Sequence, residues 1–347
     1  MREAIQSIFK SQPKGSGSAQ KTKGFTLIEL LVAIILAALV ITPLLGFMVN
    51  LLATDRKEQA KSTTGQELQS ALDYIARELE QAVYIYDGEG LHGTGDNGIA
   101  DNLDLDGEPL LAFWKRKRLP RAVDKNFEAE GDLCPDNISE QAKERQCNDY
   151  FVYSLVVYSL IDEDNDQWSN AARIARFEIS DGIRDPNDSD TYIVPQDSGF
   201  ELFERGGSKS LEQAMNAWDG TVQSTVGNQQ AVLVDYIDQT SPDDNDAVFV
   251  PEDNYCLSRL GLDRNGDGVI DREEDKTDKK TPEQLKTLPD NPESTSFFAC
   301  VDTERTLAQI YIRGNALARI QNDAEYAEDS PYFPESTITV DGIGSIE

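Results

Sequence analysis

A twelve-residue acidic segment, DRNGDGVIDREE at Asp263–Glu274, has the residue types and the spacing of a calcium-binding EF-hand loop. The ligands that this pattern predicts are Asp263, Asn265, Asp267, the backbone carbonyl of Val269, Asp271 and Glu274. Gly268 permits the sharp turn, and Ile270 is expected to anchor the loop by its apolar side chain. Because hard oxygen donors at this spacing suit Ca²⁺ better than a transition metal, the sequence predicts one structural calcium site.

The overall charge gives that motif an acidic background in which Asp-rich loops also arise by chance. The chain of 347 residues holds 63 Asp and Glu against 32 Lys and Arg, a formal net charge of −31. Such a surface repels nucleic acid and anionic lipid, so no nucleic-acid partner is expected. Two explanations remain open for most of these acids, solubility and cation binding.

Four cysteines form an even set, which in an exported chain indicates two disulfides. Sequence order suggests pairing Cys134 with Cys147 and Cys256 with Cys300. The other two connectivities stay open, as does a set of buried free thiols. No Cys-x-x-Cys motif is present, so zinc is not predicted.

The sequence does not predict an enzyme. Its only histidine, His92, lies beside Gly93 in a glycine-rich stretch and is expected to be a surface-loop residue. A Ser-His-Asp or Cys-His arrangement would have to use it, and nothing nearby in the sequence suggests activation. No phosphate-binding glycine motif occurs either.

One acid interrupts the longest apolar stretch of the chain. Residues 25–54 carry a single charged side chain, Glu29, within KGFTLIELLVAIILAALV at 23–40. A charge at the centre of a membrane span costs about 2.5–3.5 kcal/mol on insertion scales, so Glu29 needs a reason to be there.

The stretch 25–54 is long enough to span a bilayer core of about 30 Å at about 1.5 Å per residue. Basic residues in the polar segment 1–24 predict a cytoplasmic N-terminus, with the rest of the chain outside. An ordinary secretory signal fits poorly, because the small residue Gly24 precedes the apolar run. Pro43 is expected to kink the span.

After the span, the same helix is expected to continue with an amphipathic pattern. The apolar stripe consists of Leu68, Leu72, Ile75, Leu79 and Val83. Asp87–Gly88 is expected to end the helix.

The remaining chain, 55–347, is predicted to supply an antiparallel sheet on which this helix packs. The β-like runs are 110–116, 151–161, 172–180, 231–238 and 307–318. A shorter helix is expected at 208–218, and 181–206 and the acidic insertion 239–295 are expected to be mainly loops. Ile174 and Phe177 do not share parity, so their strand is either bulged or buried on both faces. The predicted fold class is α+β, with large acidic insertions.

The segment FWKRKRLP at 113–120 is the clearest exception to the acidity. One interpretation is an edge strand whose lysines discourage pairing. The other is a contact with an acidic neighbouring subunit or an anionic polysaccharide.

The stretch KGFTLIELLVAIIL resembles the processing and anchor motif of type IV prepilins and type II secretion pseudopilins. The resemblance implies a pilin-like fold and a membrane peptidase that cuts between Gly24 and Phe25 and N-methylates Phe25. Glu29 would then be the fifth residue of the mature chain. In a bundle of such helices, Glu29 of one subunit can meet the new α-amine of its neighbour.

Further stretches, including ALDYIARELEQAVYIYD, FWKRKRLP and AARIARFEISDGIRDP, are similar to the C-type member of the cyanobacterial hormogonium polysaccharide secretion pseudopilins. This resemblance implies a minor subunit in the plasma membrane or a pilus-like fibre. It also implies a role in polysaccharide secretion and gliding motility, and contacts with other pilins. A second hypothesis is a membrane-tethered, calcium-dependent adhesin or polysaccharide-binding module.

Overall fold

The computed structural model describes residues 24–93, 98–163, 167–204, 210–223, 230–243, 245, 247–263, 268–270, 280–321, 324, 326–327 and 330–344. The chain divides into two compact units, Met1–Thr54 and Asp55–Glu347. The helices are α1 (Leu27–Leu79), α2 (Gly88–His92), α3 (Phe127–Glu130), α4 (Glu140–Gln146), α5 (Leu211–Asn216) and α6 (Tyr255–Leu260), with short 3₁₀ turns at Ile99–Asn102, Pro282–Leu285 and Leu317–Arg319. The strands are β1 (Ala82–Ile85), β2 (Leu103–Asp104), β3 (Glu108–Asp124), β4 (Cys147–Ile161), β5 (Ala172–Ser180), β6 (Ile183–Asp185), β7 (Asp188–Val194), β8 (Val222–Gln223), β9 (Ala231–Ile237), β10 (Phe297–Asp302), β11 (Leu307–Arg313) and β12 (Glu335–Asp341).

In the second unit, five strands form an antiparallel sheet in the order β1-β3-β4-β5-β9. Helix α1 packs on one face of it through Leu68, Leu72, Ile75 and Leu79, which are completely buried. The stripe predicted from the spacing of these four leucine and isoleucine residues is therefore the contact surface. The fold is α+β, a long helix on an antiparallel sheet.

Both faces of this sheet are buried. Phe113 and Ile174 face the helix-side core, the cluster that contains the buried stripe of α1. Trp114 and Phe177 belong to a second cluster, the far-side core. Neighbouring residues of a strand point to opposite faces. Ile174 and Phe177, which differ in parity, are therefore both buried, since β5 is covered on both sides. Strand β5 also has register shifts against β9.

Strands β10, β11 and β12 form a separate antiparallel sheet, of which only the run containing β11 was predicted. The insertion that was expected to be mainly loop contributes a layer on this sheet. Phe249 packs against Tyr311 and Tyr255 against Phe298, with ring centroids 5.8 and 6.0 Å apart. The insertion thus has an apolar contact surface that its acidic composition conceals.

The predicted end of α1 was wrong. The helix ends at Leu79 and not at Asp87–Gly88, and Val83 lies in strand β1, within the far-side core. Aromatic and β-branched side chains at 82–85 favour pairing with β3 over a further helical turn. Asp87 instead caps α2, because its Oδ1 accepts a hydrogen bond from the backbone N of Gly90 at 3.0 Å.

Three smaller predictions need adjustment. The segment 181–206 includes the hairpin β6–β7, and the run at 307–318 ends as a strand at Arg313. The helix expected at 208–218 is the shorter α5, which begins with a capping box of Ser210 and Gln213.

The basic segment 113–120 is not an edge strand where β3 pairs with both β1 and β4, at Phe113–Lys115. There the buried ammonium of Lys115 lies 2.5 Å from a carboxylate oxygen of Glu78 and 3.4 Å from one of Glu178. Arg176 binds both carboxylates, at 2.7 Å from Glu78. Two cations and two anions therefore join the end of α1 to the sheet.

Glu178→Gln is expected to lower the free energy of unfolding by about 3 kcal/mol, since it removes one carboxylate of a buried ion-pair network and leaves the cations Lys115 and Arg176 with only one. Burial raises the pKa of Glu178, but the hydrogen bond from Arg176 and the charge of Lys115 outweigh it and lower the pKa to about 2. The wild-type carboxylate therefore stabilises the fold above its unfolded pKa of 4.5, and this contribution is lost as pH falls through about 2.

Urea unfolding of the full chain in detergent micelles measures the loss of stability in Glu178→Gln at neutral pH. The same measurement at pH values between about 2 and 4.5 follows the loss of the carboxylate's contribution in the wild type. Glu144→Gln is the matched control, because Glu144 is exposed on α4. An equal midpoint for the two variants would contradict the stabilising role of the network.

Candidate functional sites

The N-terminal site consists of Gly24, Phe25 and the first turn of α1. Gly24 and Phe25 precede the helix, and the side chain of Phe25 is 80% exposed. The Oγ1 of Thr26 accepts a hydrogen bond from the backbone N of Glu29 at 3.3 Å, which fixes the start of the helix. In the part of the chain that the structure describes, no cation forms an ion pair with Glu29.

The stretch after this turn is apolar and exposed. Among the described residues, α1 is the helix whose length and composition would allow it to cross a membrane. It runs without interruption through Pro43, although a proline removes one backbone donor.

Residues 20–45 match the family model described as the prokaryotic N-terminal methylation motif. No curated protein and no solved structure matches the chain. The motif supports a type IV pilin-like protein that is anchored in the membrane by its N-terminal helix. It implies processing by a prepilin peptidase and assembly with other pilins, and the family that carries it is structural rather than enzymatic.

The predicted calcium loop lies only in part within the described residues. The backbone of Gly268 has a φ of +78°, the left-handed region that favours glycine. Its N donates a hydrogen bond to Oδ2 of Asp263 at 3.0 Å, and Ile270 packs against the helix-side core. Val269 is exposed. The other predicted ligands, Asn265, Asp267, Asp271 and Glu274, lie outside the described residues.

Within the described ranges, no group of three or more His, Cys, Asp or Glu side chains is arranged to hold a metal ion. The sharp turn at Gly268 and the anchor at Ile270 are the parts of the loop pattern that have a structural counterpart. Calcium binding therefore stays a prediction.

The structure contains the two disulfides that sequence order suggested. Cys134–Cys147 closes the loop between β3 and β4, with Cα atoms 5.5 Å apart. Cys256–Cys300 joins α6 to β10, with Cα atoms 5.2 Å apart. The second disulfide therefore links the acidic insertion to the sheet that it covers.

His92 is not a surface-loop residue. It ends the short helix α2 and is half-buried, with Nε2 2.9 Å from the carbonyl oxygen of Thr287. Burial lowers the pKa of His92, against the opposing effects of that hydrogen bond and of nearby acids.

The outer part of the basic segment is more exposed than Lys115. The guanidinium of Arg116 lies 4.8 Å from the ring centroid of Phe151, whose side chain is half exposed. Arg118 forms an ion pair with Asp149 at 2.6 Å, and Arg121, directly after the segment, forms one with Glu140 at 2.7 Å. Much of the positive charge is thus compensated locally, and a contact with another molecule stays a prediction.

A groove of about 710 Å³ lies between α1 and β9, and sequence reasoning missed it. Tyr74 and Arg77 of the helix line one wall, and Trp168, Asp235 and Tyr236 line the other. The aromatic residues were visible in the sequence as separate residues, but only the packing of α1 beside the edge strand brings them together.

Proposed function

We propose that this chain is a minor pilin-like subunit of a type IV pilus or type II secretion-like assembly that supports polysaccharide secretion and gliding motility. The observation that carries the proposal is the methylation motif at 20–45, which contains Gly24, Phe25 and Glu29. In this proposal 1–24 is a cytoplasmic leader that is removed, and 25–54 is the transmembrane and assembly helix. The domain 55–347 lies on the outer side of the plasma membrane.

The proposed assembly step depends on a charge pair between subunits. Cleavage after Gly24 creates a cationic α-amine on Phe25, at about the depth of Glu29. A neighbouring, staggered subunit then brings its Glu29 to this amine, which offsets the cost of an acid in the membrane.

The role in secretion and motility rests on the resemblance of scattered stretches to the hormogonium polysaccharide pseudopilins. Deleting the gene in the source cells is expected to reduce extracellular polysaccharide and gliding speed, and the intact gene should restore both. Normal secretion and gliding in the deletion strain would refute this role while leaving the pilin-like proposal untouched.

A calcium-dependent adhesin is the second candidate function, favoured by the EF-hand pattern at Asp263–Glu274. In this candidate, Ca²⁺ orders the loop next to the Cys256–Cys300 disulfide and the aromatic layer on β10 and β11. Glycan binding by the full chain in lipid nanodiscs should then be weakened by EDTA.

Calcium binding itself is expected to stabilise the wild-type chain and not Glu274→Gln. A site filled at about 100 times its dissociation constant stabilises the folded state by about 2.7 kcal/mol. Calorimetric titration of the full chain with CaCl₂, and its melting temperature with and without EDTA, measure this. Asp253→Asn removes an exposed acid outside the loop and should behave as wild type. Equal calcium uptake by Glu274→Gln would refute the assigned site.

A further inference from the structure

The groove beside α1 presents two aromatic side chains to solvent. Tyr74 on the helix and Trp168 on the opposite wall are 39% and 38% exposed. Large aromatic residues are more often buried, and two of them facing one groove of about 710 Å³ make a surface suited to a ligand.

The wall opposite the helix is held rigidly. The backbone N and the hydroxyl of Ser169, next to Trp168, donate to the carboxylate of Asp235 at 3.1 and 2.7 Å. Tyr236 has a φ of +63°, which is unusual for a bulky residue. Its N donates to Oδ1 of Asp235 at 2.8 Å, and its carbonyl accepts from Asn315 N at 2.7 Å. Strained backbone that is held by its surroundings in this way is concentrated at ligand-binding sites.

The polar groups of the groove suit hydroxyl groups better than a strongly charged ligand. Gln66, Ser70 and Arg77 line the helix wall. Arg77 donates from Nε to the carbonyl of Asp73 at 3.0 Å, and among the described residues it forms no ion pair with a carboxylate. Glu67 is neutralised by Arg319. On a chain with a net charge of −31, this groove is locally close to neutral.

We propose that this groove binds an extended sugar chain, with pyranose rings stacked on Tyr74 and Trp168 and hydroxyl groups bonded to Gln66 and Arg77. The apolar faces of sugar rings match exposed aromatic rings. Sugar hydroxyls can both donate and accept, so they suit the amide of Gln66, which does both, and the guanidinium of Arg77, which only donates. The inference deepens the proposed role in polysaccharide secretion and rests on it for the identity of the polymer.

A peptide strand added to the edge of β9 fits the groove less well. The positive φ of Tyr236 makes β9 irregular near its end, and a bridge between Ile237 and Gly314 covers that end. An irregular, partly covered edge of this kind disfavours the addition of another strand.

Tryptophan fluorescence offers a direct test. The chain has three tryptophans, of which Trp114 and Trp218 are buried and only Trp168 is substantially exposed. The full chain in lipid nanodiscs is titrated with cellohexaose, laminarihexaose, hexagalacturonate and oligosaccharides from the polysaccharide of the source cells. At least one of them should protect the exposed tryptophan from acrylamide quenching. Trp168→Phe should lose most of the quenching, which assigns the signal.

Tyr74→Ala and Arg77→Ala are each expected to weaken binding by about tenfold, the effect of losing one well-packed contact. Tyr74→Phe should retain the affinity, because it keeps the stacking face. Leu133→Ala removes a side chain of similar exposure outside the groove and should bind as wild type. Protection by none of the sugars, or wild-type affinity in Tyr74→Ala, would overturn the proposal.

A photocrosslinking amino acid in place of Ser70 tests the occupant in cells. Crosslinks to polysaccharide support the inference, and crosslinks to a protein overturn it in favour of a protein partner. The mass of the N-terminus in the same samples reports processing at Gly24, so failure of the groove and failure of the pilin-like function are distinguishable.

Discussion

Glu29→Val is expected to leave the chain processed and inserted in the membrane but to exclude it from fibres. The acid costs about 2.5–3.5 kcal/mol to insert, so its replacement by valine makes insertion more favourable. A loss of assembly therefore cannot result from a failed membrane span. It follows instead from the loss of the partner for the Phe25 α-amine of the neighbouring subunit.

The measurement is the amount of the chain in sheared fibres relative to the membrane fraction, by immunoblot. We expect at least about a tenfold decrease, which corresponds to about 1.4 kcal/mol of lost pairing. Glu29→Asp should retain part of the assembly, because it keeps the charge. The double change Glu29→Val with Ala33→Glu moves the acid one turn deeper and should not rescue it. Normal incorporation of Glu29→Val would refute the intersubunit pair.

Gly24→Val is expected to leave residues 1–24 attached. In the family that the motif resembles, the peptidase cuts after this glycine, and a branched side chain at the cleavage site should block it. Among the described residues, no atom lies within 4 Å of a Cβ added at Gly24 or at Gly46, so neither substitution creates a clash with them. Gly46→Val is therefore the matched control inside the span, and it should be cleaved normally.

Intact-mass analysis of the purified chains distinguishes the two variants. Gly24→Val should share the assembly defect of Glu29→Val, because the α-amine of Phe25 never forms. It should differ in carrying the leader and lacking N-methylation. Cleavage of Gly24→Val at the wild-type position would contradict the assigned processing site.

The sequence predicted the parts of the fold that depend on local periodicity. The spacing of Leu68, Leu72, Ile75 and Leu79 puts them on one face of a helix whatever the helix packs against. The run predicted at 172–180 is the whole of strand β5. The end of α1 was missed because the pairing of 82–85 with β3 is a long-range contact that competes with a continuing helical stripe.

The functional features differ in the same way. Gly24, Phe25 and Glu29 lie in one short contiguous segment, so the processing and assembly motif can be recognised from the sequence alone. The groove brings together Tyr74 of α1, Tyr236 of β9 and Trp168 of the loop between β4 and β5, and their spacing along the chain does not predict this contact. Lys115 was read as part of a basic patch because its partners, Glu78 and Glu178, are distant in sequence.

Processing of this chain as a prepilin is tested most directly by the mass of the N-terminal peptide of the wild-type chain, purified from cells with and without the prepilin peptidase. With the peptidase, the chain should begin at an N-methylated Phe25. Without it, residues 1–24 should remain attached. A chain that retains residues 1–24 in cells with an active peptidase would show that it is not a processed pilin-like subunit.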